Sequence, residues 1–93
     1  MKYQVIPLKP YRRSLKKLRR SGDFDEPLLD KVIDMLALGK PLEPKYRDHQ
    51  LTGDLKEYRE CHVKGDLLLV YQIEEERILL VLADIGSHSY LGL

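Results

Sequence analysis

The chain has 93 residues, a length typical of one small domain, and 43% of them are hydrophobic, as in ordinary globular proteins. Its single cysteine, Cys61, excludes an intrachain disulfide and suits a reducing compartment. No apolar run approaches the roughly 20 residues that cross a bilayer, and residues 1–5 lack the apolar core of a signal peptide. We therefore expect residues 1–93 to form one soluble, cytoplasmic domain without a membrane partner.

The formal net charge of +1 conceals an asymmetry along the chain. Residues 1–20 contain eight lysines and arginines and no acid, so the rest of the chain carries eight basic and 15 acidic groups. Such a basic segment predicts a surface that binds a polyanion or an acidic partner, although a solvated helix face would have the same composition.

The first half of the chain predicts a strand followed by two helices. Residues 3–8 alternate partly as a strand, and residues 10–20 have apolar side chains at helical spacing. A second helix is expected to begin after the N-cap residue Asp25 and to carry an apolar stripe as far as Leu36. The short polar link between the helices predicts an antiparallel helical hairpin.

The second half predicts a polar segment over 46–54 and then three antiparallel strands, at 55–63, 67–73 and 78–84. The middle strand is continuously apolar, which predicts burial on both faces of the sheet. The expected order is β-α-α-β-β-β, an α+β fold in which the helical hairpin packs on an antiparallel sheet.

Several chemically active side chains fall at one edge of this sheet. In a three-stranded meander the first and third strands end on the same side, which brings His62, Asp66 and His88 together. Alternation puts Glu60 on the same face as His62. His49 belongs to the polar segment, so alternation cannot place it.

Imidazoles beside a carboxylate suit cleavage of RNA without a metal. One histidine can take the proton of the attacking 2′-hydroxyl and another can protonate the leaving 5′-oxygen, while the carboxylate orients one of them. Lys56, Lys64 or Arg59 could screen the phosphate, although alternation turns Arg59 to the other face. The same groups could bind a metal, but their spacing is not one typical of chelation. Cys61 is expected to pack in the core rather than to act as a nucleophile.

Four segments resemble the YafQ branch of the RelE-type toxins, and they follow the order and spacing of that family along nearly the whole chain. They are YRDHQLTG at 46–53, YRECHV at 58–63, DLLLVY at 66–71 and GSHS at 86–89. Each segment is short, but the ordered set is specific. The resemblance implies a RelE-like, microbial-ribonuclease-like fold and a type II toxin that cuts mRNA, typically in the ribosomal decoding site.

By residue match, the resemblance implies that His49, His62, Asp66 and His88 are catalytic and that no metal or other cofactor takes part. We expect His88 to be the general acid, His62 or His49 the base, and Asp66 the orienting carboxylate. Glu60 occupies a place where the family often has aspartate. The implied partners are a cognate antitoxin, mRNA and the ribosome, with operator DNA reached only indirectly through the antitoxin complex.

Contacts to RNA are expected from the basic helix, from two cations near the strands and from one aromatic residue: Lys9, Arg12, Arg13, Lys16, Arg19, Arg20, Lys56, Arg59 and Tyr90.

Two positions depart from the family. The usual aromatic residue near the C-terminus is missing, and Tyr90 is its expected substitute for base stacking. Leu67 stands where a relative can carry tryptophan.

Two other functions remain open from the sequence. A ParE-like toxin has the same fold and poisons DNA gyrase without cutting RNA, but that branch lacks this histidine set. A non-catalytic interaction module, kept as a binding partner or repressor component, would carry the same residues in a geometry too loose for the reaction.

Overall fold

The computed structural model describes residues 2–93, so Met1 of the predicted domain lies outside the described residues. The helices and strands are, in chain order, β1 (Gln4–Pro7), α1 (Lys9–Ser21), α2 (Glu26–Ala37), β2 (His49–Gln50), β3 (Arg59–Lys64), β4 (Leu67–Glu74), β5 (Leu79–Gly86) and α3 (His88–Leu91). Two 3₁₀ turns, Pro44–Tyr46 and Gly53–Leu55, flank β2. The predicted α+β class is confirmed, and the short β2 and α3 are additions to the expected order.

The five strands form one sheet in the order β1-β5-β4-β3-β2. β4 is central, as its apolar run predicted, and the adjacent residues Leu68 and Leu69, which point to opposite faces, are both fully buried. The expectation of a wholly antiparallel sheet was wrong, because β1 pairs in parallel with β5. A parallel pair cannot be joined by a tight turn, and here the helices α1 and α2 and the strands β2, β3 and β4 all lie between β1 and β5 in the chain.

The first strand of the meander begins at Arg59 rather than at the predicted residue 55. The backbone N–H of Tyr58 donates to the carbonyl of Leu55, and Gly53 adopts a left-handed φ of 65°, so this stretch is held in turns. Glycine reaches such a φ without steric cost, which explains why the segment turns before it extends.

Both predicted helices form, and they adjoin one another. The left-handed Gly22 ends α1, and Asp25 caps α2 by accepting a hydrogen bond from the backbone N–H of Leu28 at 3.2 Å. Arg19, near the end of α1, pairs with Glu26, at the start of α2, so an ion pair bridges the short link between the helices.

The helices and the sheet enclose the core. Its buried members include Tyr11, Leu29, Val32, Leu36, Leu69, Tyr71, Leu80 and Ile85. Full burial of one such side chain is worth about 1.5–3 kcal/mol, which makes this core the rigid support for the strand ends. Within residues 2–93, no helix has the length and apolar character needed to cross a membrane.

Candidate active site

Strand register brings distant parts of the chain to one edge of the sheet. His62 on β3 is paired with Leu68 on β4, and Leu68 is paired with Gly86 on β5. His88 follows Gly86 at the start of α3 and therefore lies across β4 from His62. The two imidazole rings are 5.4 Å apart between centroids, with an interplanar angle of 59°.

Asp66 lies in the turn between β3 and β4 and orients His88. The same carboxylate oxygen of Asp66 accepts two hydrogen bonds, one from Nδ1 of His88 at 2.7 Å and one from the backbone N–H of His88 at 3.2 Å. Both hydrogen bonds lower the pKa of Asp66 below its usual 3.8, and the bond from the His88 side chain has the larger effect. Because Nδ1 donates to Asp66, Nε2 is the ring nitrogen of His88 that remains to exchange a proton.

A second carboxylate, that of Glu60, lies beside the two other histidines. Glu60 is only 3% exposed. Its Oε1 is 3.4 Å from Nε2 of His62 and 3.8 Å from Nε2 of His49, which are ion-pair rather than hydrogen-bond distances. A buried carboxylate needs a compensating charge, so Glu60 stabilises a positive charge that forms on either ring.

The short strand β2 places His49, which the sequence could not place. Its two residues pair with β3, and His49 lies opposite Glu60. Nδ1 of His49 donates to the backbone carbonyl of Arg47 at 2.7 Å. This bond fixes the ring so that Nε2 is the nitrogen near Glu60.

A polar network on the opposite face anchors the segment that carries His49. Asp48 accepts hydrogen bonds from the hydroxyl of Tyr71 and from Nε of Arg59, whose Nη2 also lies 3.3 Å from the second oxygen of Asp48. Burial and the bond to Asp48 raise the pKa of Tyr71. The guanidinium of Arg59 is thus committed to Asp48, and it would have to leave this pair to reach an RNA phosphate.

The sequence alone indicates no individual role for Asp48 or Arg47. An acidic residue directly before a histidine in an otherwise polar segment was the only local signal for Asp48. Its partners Arg59 and Tyr71 are 11 and 23 residues away, and their pairing depends on the strand register. Arg47 positions His49 through its backbone carbonyl, and side-chain patterns cannot reveal such a contact.

The last helix packs Tyr90 against β5 and α1. The Tyr90 hydroxyl lies 3.0 Å from Oγ of Ser14, which donates to Asp84 at 2.7 Å. A Cβ at Gly86 would lie 2.5 Å from a ring carbon of Tyr90, so glycine is needed for this close approach. Tyr90 nevertheless remains 55% exposed, two residues from His88.

The other cations predicted to bind RNA lie mainly on the surface of α1. Arg19 is engaged with Glu26, at 2.6 Å between Nη2 and Oε2. Lys56 is exposed just after the second 3₁₀ turn. The remaining cations are exposed and form no ion pair within residues 2–93: Lys9, Arg12, Arg13, Lys16 and Arg20.

The cysteine takes no part in this arrangement. Cys61 is fully buried, and burial raises the pKa of its thiol to about 12. A thiol rather than a thiolate therefore predominates at neutral pH, which agrees with the predicted packing role.

Three side chains of the site also form a potential metal-binding group. One ligand atom each from Glu60, His62 and His88 lies within 4.8 Å of the others. Two imidazoles and a carboxylate are donors that zinc and copper accept readily. Glu60 and His62 lie on β3, whereas His88 lies on α3, beyond β4 and β5 in the chain, which explains why no chelating spacing was visible.

The family follows from comparison with known proteins. Residues 3–92 match the family described as bacterial toxin of type II toxin–antitoxin system, YafQ. The chain belongs to the YafQ toxin family. Among curated relatives, the mRNA interferase toxin YafQ of Escherichia coli K12 is 39% identical over 51 residues, which are 55% of this chain and 53% of that protein. The chain spans 53% to 63% of the length of the curated relatives that it matches.

Solved structures share the fold over almost the whole chain. The metal-bound toxin from Helicobacter pylori is 48% identical, with a TM-score of 0.89 over 96% of this chain and 98% of that one. The YafQ of the E. coli DinJ–YafQ toxin–antitoxin complex is 27% identical, with a TM-score of 0.86 over 98% of both chains. The family predicted from the four sequence segments is therefore confirmed.

Proposed function

We propose that this protein is the toxin of a type II toxin–antitoxin system and an endoribonuclease that cuts mRNA by acid–base catalysis without a metal cofactor. The observation that carries the proposal is the pair of rings, His62 and His88, 5.4 Å apart and each beside its own carboxylate. Two imidazoles this close can act on two oxygens of one phosphodiester. The similarity to the E. coli mRNA interferase supports the same activity.

In the proposed reaction His62 takes the proton of the ribose 2′-hydroxyl, and the 2′-oxygen attacks the adjacent phosphorus. The bond from phosphorus to the 5′-oxygen breaks as His88 gives that oxygen its proton. The products are a 2′,3′-cyclic phosphate and a 5′-hydroxyl. Glu60 stabilises the imidazolium that forms on His62, and Asp66 faces the positive charge that His88 carries before the transfer.

We assign the base to His62 rather than His49 because the ring of His62 packs against that of the acid, His88. His49 shares Glu60 with His62 and suits a role in holding the phosphate. The rate of cleavage should therefore fall further in His62→Ala than in His49→Ala. Equal losses, or the reverse order, would move the base to His49.

The proposed protein partner is a cognate antitoxin, as the solved complex of E. coli YafQ with DinJ suggests by similarity. The proposed substrate is mRNA on the ribosome, and operator DNA would be reached only through the antitoxin complex. We further propose that residues 1–93 act as one RelE-like, microbial-ribonuclease-like domain in the cytoplasm, where mRNA is translated.

The test uses purified protein and ribosomes programmed with a defined mRNA. Cleavage should leave a 2′,3′-cyclic phosphate or its 3′-phosphate hydrolysis product, persist in EDTA, and fail when the ribose at the cut site is 2′-deoxy. Cleavage of the 2′-deoxy message would rule out attack by the 2′-hydroxyl. If no RNA is cleaved but expression of the protein in a bacterium still arrests growth, a toxin that acts by binding, of the ParE kind, would be favoured instead.

A second candidate function is binding of a divalent transition metal at the same site. It is favoured by the cluster of Glu60, His62 and His88, and by similarity to the metal-bound H. pylori toxin. A bound ion would occupy the imidazole nitrogens that the reaction uses, so it should inhibit cleavage. Titration with Cu²⁺ or Zn²⁺ should lower the rate, and EDTA should restore it. Stimulation by either ion would contradict metal-free catalysis.

A further inference from the structure

The sheet edge that carries His49, Glu60, His62, Asp66 and His88 is called the catalytic edge below, and a cavity of about 510 Å³ opens beside it. His62 forms part of its wall, and the 3₁₀ segment around Tyr46 and the start of the β3–β4 turn form the rest. Pockets of roughly 300–1,000 Å³ hold small ligands, so this space is large enough for one nucleotide. A strand of RNA whose ribose lies against His62 must continue through a neighbouring space, and this cavity is directly adjacent.

The charged side chains that line the cavity are all basic. Its lining contains Lys45, Arg47 and Lys64, and no acidic residue. Within residues 2–93, Arg47 and Lys64 form no ion pair, and Lys45 has only Glu43, at 4.0 Å. All three cations are exposed, so their charges are available to a ligand. Cations that converge on a concave surface attract phosphate more strongly than the same cations spread over a flat one.

Beneath the cations the cavity has an apolar floor. It is formed by Leu28, Tyr46 and Val63, and the last two are buried. A floor of this kind excludes water from one side of a base or ribose, whereas the cations suit its phosphate. The combination matches a nucleotide better than a free anion.

The backbone of Arg47 ties the cavity to the catalytic histidines. Arg47 has a left-handed φ of 48°, and its N–H donates to the carbonyl of Pro44 at 3.0 Å. Its own carbonyl accepts the hydrogen bond from Nδ1 of His49. The backbone of Arg47 is therefore fixed relative to the catalytic edge, and its exposed side chain extends from this fixed point.

We propose that this cavity is a nucleotide subsite, in which Lys45, Arg47 and Lys64 hold the phosphodiester next to the scissile one and the apolar floor supports its nucleoside. The inference rests on the proposed ribonuclease function and names where its substrate continues. An acidic segment of an antitoxin is the competing occupant. It is disfavoured because the cations and the apolar floor together match the phosphate and the nucleoside of a nucleotide, whereas an acidic side chain supplies only the charge.

The experiment compares a neutralised cavity with a matched control. The cavity variant is Lys45→Gln/Arg47→Asn/Lys64→Gln, with asparagine at 47 because it tolerates a left-handed φ. The control, Lys31→Gln/Lys40→Gln/Arg77→Gln, removes the same charge elsewhere on the surface. The ligand is a short RNA with a 2′-deoxy ribose at the cut site, measured free and on programmed ribosomes.

Each phosphate neutralised on single-stranded RNA contributes about 0.7 to the slope of log affinity against log salt, so the one phosphate of this subsite contributes about 0.7. Between 50 and 200 mM salt the parent should then lose roughly 2–3-fold more affinity than the cavity variant. The control should keep the parent slope. An unchanged slope in the cavity variant, on free and on ribosome-bound RNA, would overturn the proposal.

In a set of RNAs, each with one phosphate replaced by a neutral methylphosphonate, failure of the proposed subsite can be distinguished from failure of the proposed ribonuclease function. In the parent, the neutral linkage next to the cut should weaken binding, and in the cavity variant the same linkage should have no effect. If this pattern holds but the parent cuts no RNA, the subsite stands and the ribonuclease does not. If the parent cuts RNA and the pattern is absent, the subsite is wrong. Loss of antitoxin binding alone would assign the cavity to the acidic segment.

Discussion

The catalytic edge and the outer face of α1 are both polar, but they are built in opposite ways. At the edge, Glu60 is buried and each histidine has a partner within 2.7–3.8 Å. On α1, the cations are exposed and, within residues 2–93, only Arg19 is paired. Fixed partners hold groups in position for a reaction, whereas free cations attract any polyanion. We infer that the edge is suited to a reaction and that the outer face of α1 is suited to binding a polyanion.

The largest expected effect is at the catalytic edge, in His88→Ala. Loss of the proposed general acid should lower the rate of RNA cleavage by at least about 100-fold. The side chain of His88 is 47% exposed, so unfolding should be little affected. Ser89→Ala, the next residue on the same helix, is the control and should keep full activity. Full activity in His88→Ala would remove the ring from the mechanism.

Glu60→Gln tests whether the buried carboxylate acts on its histidines. Opposite unit charges 4 Å apart attract by about 1 kcal/mol even in bulk water and more in a buried site, so the cleavage rate should fall at least about fivefold. The melting temperature should not fall with it, because the amide avoids burying a charge. Glu57→Gln, an exposed change on the same segment, should alter neither quantity. An equal loss of stability and activity would make Glu60 structural only.

The triple change Arg12→Glu/Lys16→Glu/Arg20→Glu tests whether the outer face of α1 binds RNA. If these cations contact ribosomal or messenger RNA, the triple change should weaken ribosome association and lower its salt slope by about 2–3, or 0.7–0.9 per contact. Cleavage of a short free RNA should be unchanged, because the catalytic edge is untouched. Ribosome binding equal to the parent at every salt concentration would make the face a solvated surface.

Parts of the catalytic edge and of the sheet differ in how far the sequence predicts them. A meander fixes which strand ends meet, so His62, Asp66 and His88 could be placed from spacing alone. His49 could not, because β2 has two residues and owes its position to the bond with Arg47 and to Asp48. The parallel pairing of β1 with β5 joins residues more than 70 positions apart, and the four residues of β1 carry too little pattern to specify a partner.

The smallest expected effect is electrostatic and lies within the catalytic edge. The hydrogen bonds from His88 keep the pKa of Asp66 below 3.8. Since the folded value is lowered, this pairing stabilises the fold at pH above 3.8 and the stabilisation is lost as the pH falls through the lowered pKa. In His88→Ala the side-chain bond disappears while the backbone N–H remains, so an NMR titration should show the pKa of Asp66 rising only part of the way. Asp54, exposed and distant in sequence, should titrate identically in both proteins. If the pKa of Asp66 does not move, the hydrogen bond between the His88 ring and Asp66 does not form in solution. The fixed geometry that distinguishes the catalytic edge from α1 would then not extend to His88.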